Sequence, residues 1–146
     1  MSIKLHKLSN SKKTLKRKIK ITKNTKTKVI QTFLEMLNCT KLYHWSTYSF
    51  SQHKATDDLY HDLNKYIDEF VEIMLGKDKE RIYSINMNSS YKIYNKKQFI
   101  NKVNNFKFFL INLNNYIDPL FDTNLINIRD ELLGLLDKLL YLFELK

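Results

Sequence analysis

Glycine occurs twice and proline once in the 146 residues of this chain. Those are the residues that break helices and shape tight turns, so a chain this poor in them is expected to form long helices joined by short connections. The length suits one domain with a core of its own. Apolar residues recur at helical spacing in four segments. The first runs over about 26–48, with Ile30, Phe33, Leu37, Thr40 and His44 on one face. Trp45 shares the neighbouring stripe with Leu34 and Leu42 and reads as core or interface. The second runs over about 51–75, opened by Ser49 and Gln52 at capping-box spacing and closed by Gly76 as the residue after the C-cap. Leu59, Leu63, Tyr66, Ile67, Phe70 and Met74 are its apolar stripe.

Residues 77–95 form a long connection, with one short helix expected around Lys79–Ile85 and a path over the outside of the bundle. Tyr83, Tyr91 and Tyr94 either pin this segment to the body or stack on bases. Asn95 and Gln98 repeat the cap signal before a third helix over about 96–117, which buries Phe99, Val103, Phe106, Leu110, Leu113 and Ile117 and ends at Asp118-Pro119. The fourth covers about 124–145, with Leu125, Ile128, Leu132, Leu135, Leu136, Leu139 and Phe143 facing inward. Gly134 inside it costs about 1 kcal/mol against alanine, which a close helix contact would explain. The fold class is therefore all-α. Four helices with one long central connection indicate a ferritin-like four-helix bundle.

Charge is concentrated at one end. Residues 1–28 hold eleven Lys or Arg and no Asp or Glu, leaving fourteen basic and fifteen acidic side chains for the remainder. Residues 1–25 read as a flexible basic tail ahead of a bundle at 26–146. Lys12, Lys13, Lys16, Arg17, Lys18, Lys20 and Lys23 are its candidate nucleic-acid contacts, because each lysine near a phosphate releases a condensed counterion without reading sequence. Cys39 is the one cysteine, so an internal disulfide is excluded, and its place in a helical pattern marks a buried structural thiol. No apolar run approaches the length of a membrane span, and the first residues lack a secretory apolar core. An intracellular or virion-associated protein is expected, with no membrane partner.

Chemistry concentrates between Tyr43 and Gly76. With His53 set at zero and about 100° per residue, Asp57 lies near ~40°, Asp68 near ~60° and Glu72 near ~100°. The four share a strip beside the apolar face, with His61 as a further candidate and His44 at the end of the preceding helix. Imidazole with carboxylate is a ligand set for iron, zinc or manganese. The same strip also reads as a solvated helix face. There is no phosphate-binding glycine loop and no nucleophile–histidine arrangement of the hydrolase kind.

His44-Trp45, Phe50-x-x-His53, Tyr60, Ile67-Asp68-Glu69, Glu72 and Gly76 resemble the ferroxidase motif of the Dps mini-ferritins, most closely over residues 33–76. Asp57, Asp68 and Glu72 keep that family's spacings from His53. His44 and His53 are nine residues apart, where the family usually has twelve, and Ile73 stands where the family has an arginine. The resemblance implies a dodecameric shell, or at least a homodimer. It implies a di-iron site shared between subunits with His44, His53, Asp57, Asp68 and Glu72 as metal ligands, Fe(II) oxidation by peroxide or oxygen, and DNA binding through a lysine-rich tail. The chain also resembles a group of viral and phage proteins with a similar HW…QH…D.FVE stretch. Two readings stay open: an iron-binding ferroxidase that also binds DNA, and a non-enzymatic DNA-packaging or virion structural protein on the same bundle. Other divalent metals are open alongside iron.

Overall fold

The computed structural model describes residues 15–87 and 90–145. Helices α1 (Lys23–Ser46), α2 (Phe50–Asp78), α3 (Lys96–Asn112) and α4 (Thr123–Glu144) make up the fold, and no strand occurs among the described residues. α2 packs on both α1 and α4, and α3 closes the ring against α4 and α1. The apolar stripes meet in one core. Phe33, Leu63, Phe70, Phe99, Leu110, Leu125 and Leu132 are fully buried there. Phe33 meets Phe70 edge-on at 5.2 Å, while Tyr43 stacks on Phe99 at 4.1 Å and leans on Phe143. That second cluster places the end of α1, the start of α3 and the end of α4 together. Cys39 is buried, and burial pushes its thiol up to about 11.

The caps explain where the helices begin. Asn95 and Gln98 form a complete reciprocal box at the start of α3. Ser49 accepts from the Gln52 amide, but the Gln52 side chain turns instead to the Tyr43 hydroxyl, which donates to it at 2.6 Å. The expected box at α2 is thus half formed, and its other half ties α2 back to α1.

Four sequence-based expectations change. α2 runs past Gly76 to Asp78 and ends on Lys79, whose φ of 56° is left-handed. The reason is Lys26, 2% exposed, whose Nζ donates to Asp78 at 2.5 Å and to Glu80 at 2.7 Å and so holds the extra turn in place. The short helix expected at Lys79–Ile85 does not form. The described residues of the connection form no helix and touch α1 at two points, with Gln31 donating to the Asn86 carbonyl and Asn38 to the Tyr91 hydroxyl. Along this path Tyr91 and the half-buried Tyr94 tether the segment, while Tyr83 stays exposed. α3 stops at Asn112 and tightens into a 3-10 turn over Leu113–Asn115, which still delivers Leu113 and Ile117 to the core. Gly134 makes no close contact: a Cβ there would meet nothing within 4 Å.

The basic segment is the fifth change. Residues 15–22, expected to be a flexible tail, run extended into α1, and Ile21 is buried in the core. Two aspartates of the α3–α4 turn hold them. Asp122, fully buried, receives the Arg17 guanidinium at 2.6 and 2.7 Å and Lys77 at 2.9 Å. Asp118 accepts the backbone N–H groups of Lys18 and Ile19 on one oxygen and those of Leu120 and Phe121 on the other. Burial alone would raise the Asp118 carboxyl, but the four amides outweigh it and lower the pKa from 3.8 to about 2.

Two tests follow from this architecture. Gly134→Ala should stabilise α4 by about 1 kcal/mol, raising the melting temperature by roughly 3 °C; a lower melting temperature would reveal a contact at this position. The depressed Asp118 carboxyl stabilises the fold fully above pH 3.8 and loses that contribution as pH falls through about 2. The Lys18 and Ile19 amide resonances should therefore move toward random-coil positions over that window, and in Asp118→Asn the movement should be absent.

Candidate metal centre

His44 ends the buried face of α1 and His53 begins α2, so the tight connection at Thr47–Ser49 sets one ring against the other. Their centroids are 3.8 Å apart and their planes 23° from parallel. Each Nδ1 lies 2.9 Å from the other residue's backbone carbonyl: His44 Nδ1 from the His53 oxygen, and His53 Nδ1 from the His44 oxygen. A carbonyl only accepts, so both Nδ1 atoms carry the proton and both rings leave Nε2 as the free position. This is the arrangement that orients metal-binding histidines, with the second nitrogen anchored to a fixed acceptor. Thr56, buried in α2, donates to the Gln52 and His53 carbonyls and holds the first turn that bears the His53 oxygen.

His44 is buried and His53 exposed, so the pair lies at the edge of the core. Asp57 Oδ1 stands 3.8 Å from His44 Nε2 and equally far from Lys41 Nζ. The Lys41 ammonium also lies 4.5 Å from the Tyr60 ring centre and 5.8 Å from that of Trp45. Trp45 is 69% exposed, so of the two readings, core or interface, the core of this chain is excluded, and Tyr48 and Phe50 at the same corner are exposed too.

The five sequence-predicted ligands are not all brought together in one chain. Asp68 and Glu72 are exposed on α2, roughly 22 Å and 28 Å along the helix axis from His53 by residue count. His61 is exposed beside Asp57, Asp58 and Asp62. Among the described residues no three His, Cys, Asp or Glu side chains of one chain form a metal-holding group.

Of the basic candidates, Lys12 and Lys13 lie outside the described residues. Lys16, Lys18 and Lys23 are exposed. Arg17 is committed to Asp122, and Lys20 reaches Asp78 at 3.5 Å. What the sequence did not reveal is the pair of carbonyl anchors and Thr56, because backbone acceptors carry no residue signature.

A family model spans His44 to Phe143, from the first histidine of the pair to the last buried aromatic of α4. The chain belongs to the DUF5856 family. That family is described as one of unknown function, and its match covers α2, α3 and α4 together with the histidine pair, while the basic segment and most of α1 fall before it. No curated protein and no solved structure matches the chain.

The reciprocal anchoring makes a direct spectroscopic prediction. In nitrogen-15 spectra of histidine-labelled protein above neutral pH, His44 and His53 should both show the Nδ1–H tautomer, the less common one for a free imidazole. An Nε2–H signal from either ring would contradict the paired geometry.

Proposed function

We propose that this chain is a Dps-like protomer on a ferritin-like bundle, which binds Fe(II) as substrate and oxidises it at a site completed by a second copy. The His44–His53 pair carries the reading: two imidazoles anchored through Nδ1, with Asp57 beside one free Nε2. Neutral imidazole nitrogen with carboxylate oxygen is a donor set suited to iron. The ring order α1–α2–α4–α3 and the crossover along α1 support the bundle assignment.

The shared site follows from distance. Asp68 and Glu72 are too far along α2 to reach their own chain's histidines, but an antiparallel second α2 crossing near His61–Asn64 would bring its Asp68 and Glu72 opposite them. Two-fold symmetry would then build two equivalent sites. The exposed Trp45, Tyr48 and Phe50 supply apolar area at the same corner. In this arrangement His44 and His53 bind iron as neutral donors. Asp57 with the partner copy's acids offsets the charge that rises from Fe(II) to Fe(III). Each iron gives up one electron, and a peroxide molecule takes two to leave two hydroxides. Lys41 must withdraw from Asp57 on loading, and its position between Trp45 and Tyr60 gives the ammonium a place to rest.

A second activity is supported by a separate observation: eleven basic residues and no acid in the first 28 suit binding to DNA without sequence preference.

Anaerobic Fe(II) titration followed by peroxide, read in the near ultraviolet, tests the iron reading. Asp68→Ala and Glu72→Ala should each slow oxidation about tenfold or more while circular dichroism stays helical. Wild-type rates in both variants would sink the assignment, because neither exposed side chain contributes to the core.

A further inference from the structure

A cavity of about 320 Å³ opens between the start of α1, the end of α2 and the first residues of the crossover. We propose that it binds the sugar–phosphate backbone of a single-stranded nucleic acid, with Lys23, Lys79 and Arg81 on the phosphates and Tyr83 against a base. The inference rests on the nucleic-acid reading above and moves the specific contacts from the tail to the folded body.

Charge is the first argument. Lys23, Lys79 and Arg81 line the cavity, all three are exposed, and none is in an ion pair among the described residues. Two carboxylates lie beside them, which ordinarily would cancel the field. Here Lys26 takes both from the inside, Asp78 at 2.5 Å and Glu80 at 2.7 Å, and Lys20 adds a second contact to Asp78 at 3.5 Å. Lys26 and Lys20 together balance the two acids, so the outer three cations remain available to an anion. Lys26 acts as the internal counterion that keeps the mouth positive.

The second argument is conformational. Lys79 is the one non-glycine residue with positive φ among the described residues. Glycine fits such a position without a Cβ penalty, and a lysine there is strained. A cation held at a strained turn on the rim of a cavity is a candidate for ligand contact. The third argument is the ring: Tyr83 lines the same cavity and is 93% exposed, while its neighbours Ile82 and Ile85 pack against the core. An exposed aromatic beside clustered cations is the pairing that single-strand binders use, since a splayed base can stack where a paired one cannot. The Ser84 hydroxyl in the wall adds a neutral donor for a phosphate oxygen.

The test uses the full chain and a fluorescein-labelled single-stranded oligonucleotide of mixed sequence, its duplex as comparator, and anisotropy across a salt series. Lys79→Gly with Arg81→Gln should weaken single-strand binding about tenfold and flatten the log–log salt slope by roughly 1.4, near 0.7 per lost phosphate contact. Lys79→Gly alone should melt at or above the wild-type temperature, which separates a binding loss from a folding loss. Tyr83→Ala should lower single-strand affinity about fivefold or more and leave duplex affinity unchanged. A tail variant with Lys12, Lys13 and Lys16 changed to Gln should keep its sensitivity to Tyr83→Ala. If the wild type binds and the cavity variants match it in affinity and slope, the cavity is overturned while the tail reading stands. If the wild type binds neither probe, both fall.

Discussion

α2 has one apolar stripe and two neighbours to share it. Leu59, Leu63, Ile67, Phe70 and Met74 are buried, and α1 and α4 both pack on that helix. Among the described residues no helix packs on the opposite face, and Asp57, Asp68 and Glu72 are left at the surface. The exposed acidic strip is a consequence of core formation. A carboxylate turned inward would require a partner or lose its charge, and the core around α2 is apolar. The chemistry of the strip is therefore set by what stands opposite it.

Both ends of the bundle are closed by polar contacts, and the two ends differ in kind. At one end, Lys26 bridges Asp78 and Glu80, and Asp118 with Asp122 clasps the Arg17–Ile19 segment. Burial would lower the Lys26 pKa, but the hydrogen bonds and charges of its two acids raise it above 10.5, and the bond from Lys26 lowers Asp78 in turn. Such groups stabilise only as complete sets, because removing one partner strands another in a low-dielectric surrounding. At the other end, neutral groups do the closing: the Tyr43–Gln52 bond, the Tyr43–Phe99 stack and the reciprocal histidine bonds. Among the described residues the histidines thus sit at the end without buried ion pairs, and the cationic cavity sits at the end where the acids are already paired with lysines.

That division gives the molecule two chemically distinct poles. Imidazole and aromatic rings gather at the α1–α2 corner, next to an acidic helix face. Lysine and arginine gather where α1 begins, continuous with the basic segment. Arg17 and Lys20, though counted with that segment by composition, are partly drawn into holding it down.

The sequence by itself determined the four long helices, though not the form of the segments between them. Apolar positions at 3.6-residue spacing and the Ser49, Asn95 and Asp118-Pro119 signals place all four helices to within a few residues, because periodicity and capping are local properties of the chain. Phe33, Val103, Leu125 and Leu132 were legible as core for the same reason. Tertiary structure alone decided the rest, and in each case a partner distant in sequence is the cause. α2 overran Gly76 because Lys26, 52 residues from Asp78, holds the added turn. The basic segment folded down because Asp118 and Asp122, about a hundred residues away, accept it. The histidines acquired their orientation from each other's carbonyls, which no side-chain pattern encodes. Trp45 fell outside the core because the neighbours of α1 occupy its other face, a choice that helical period leaves open and packing makes.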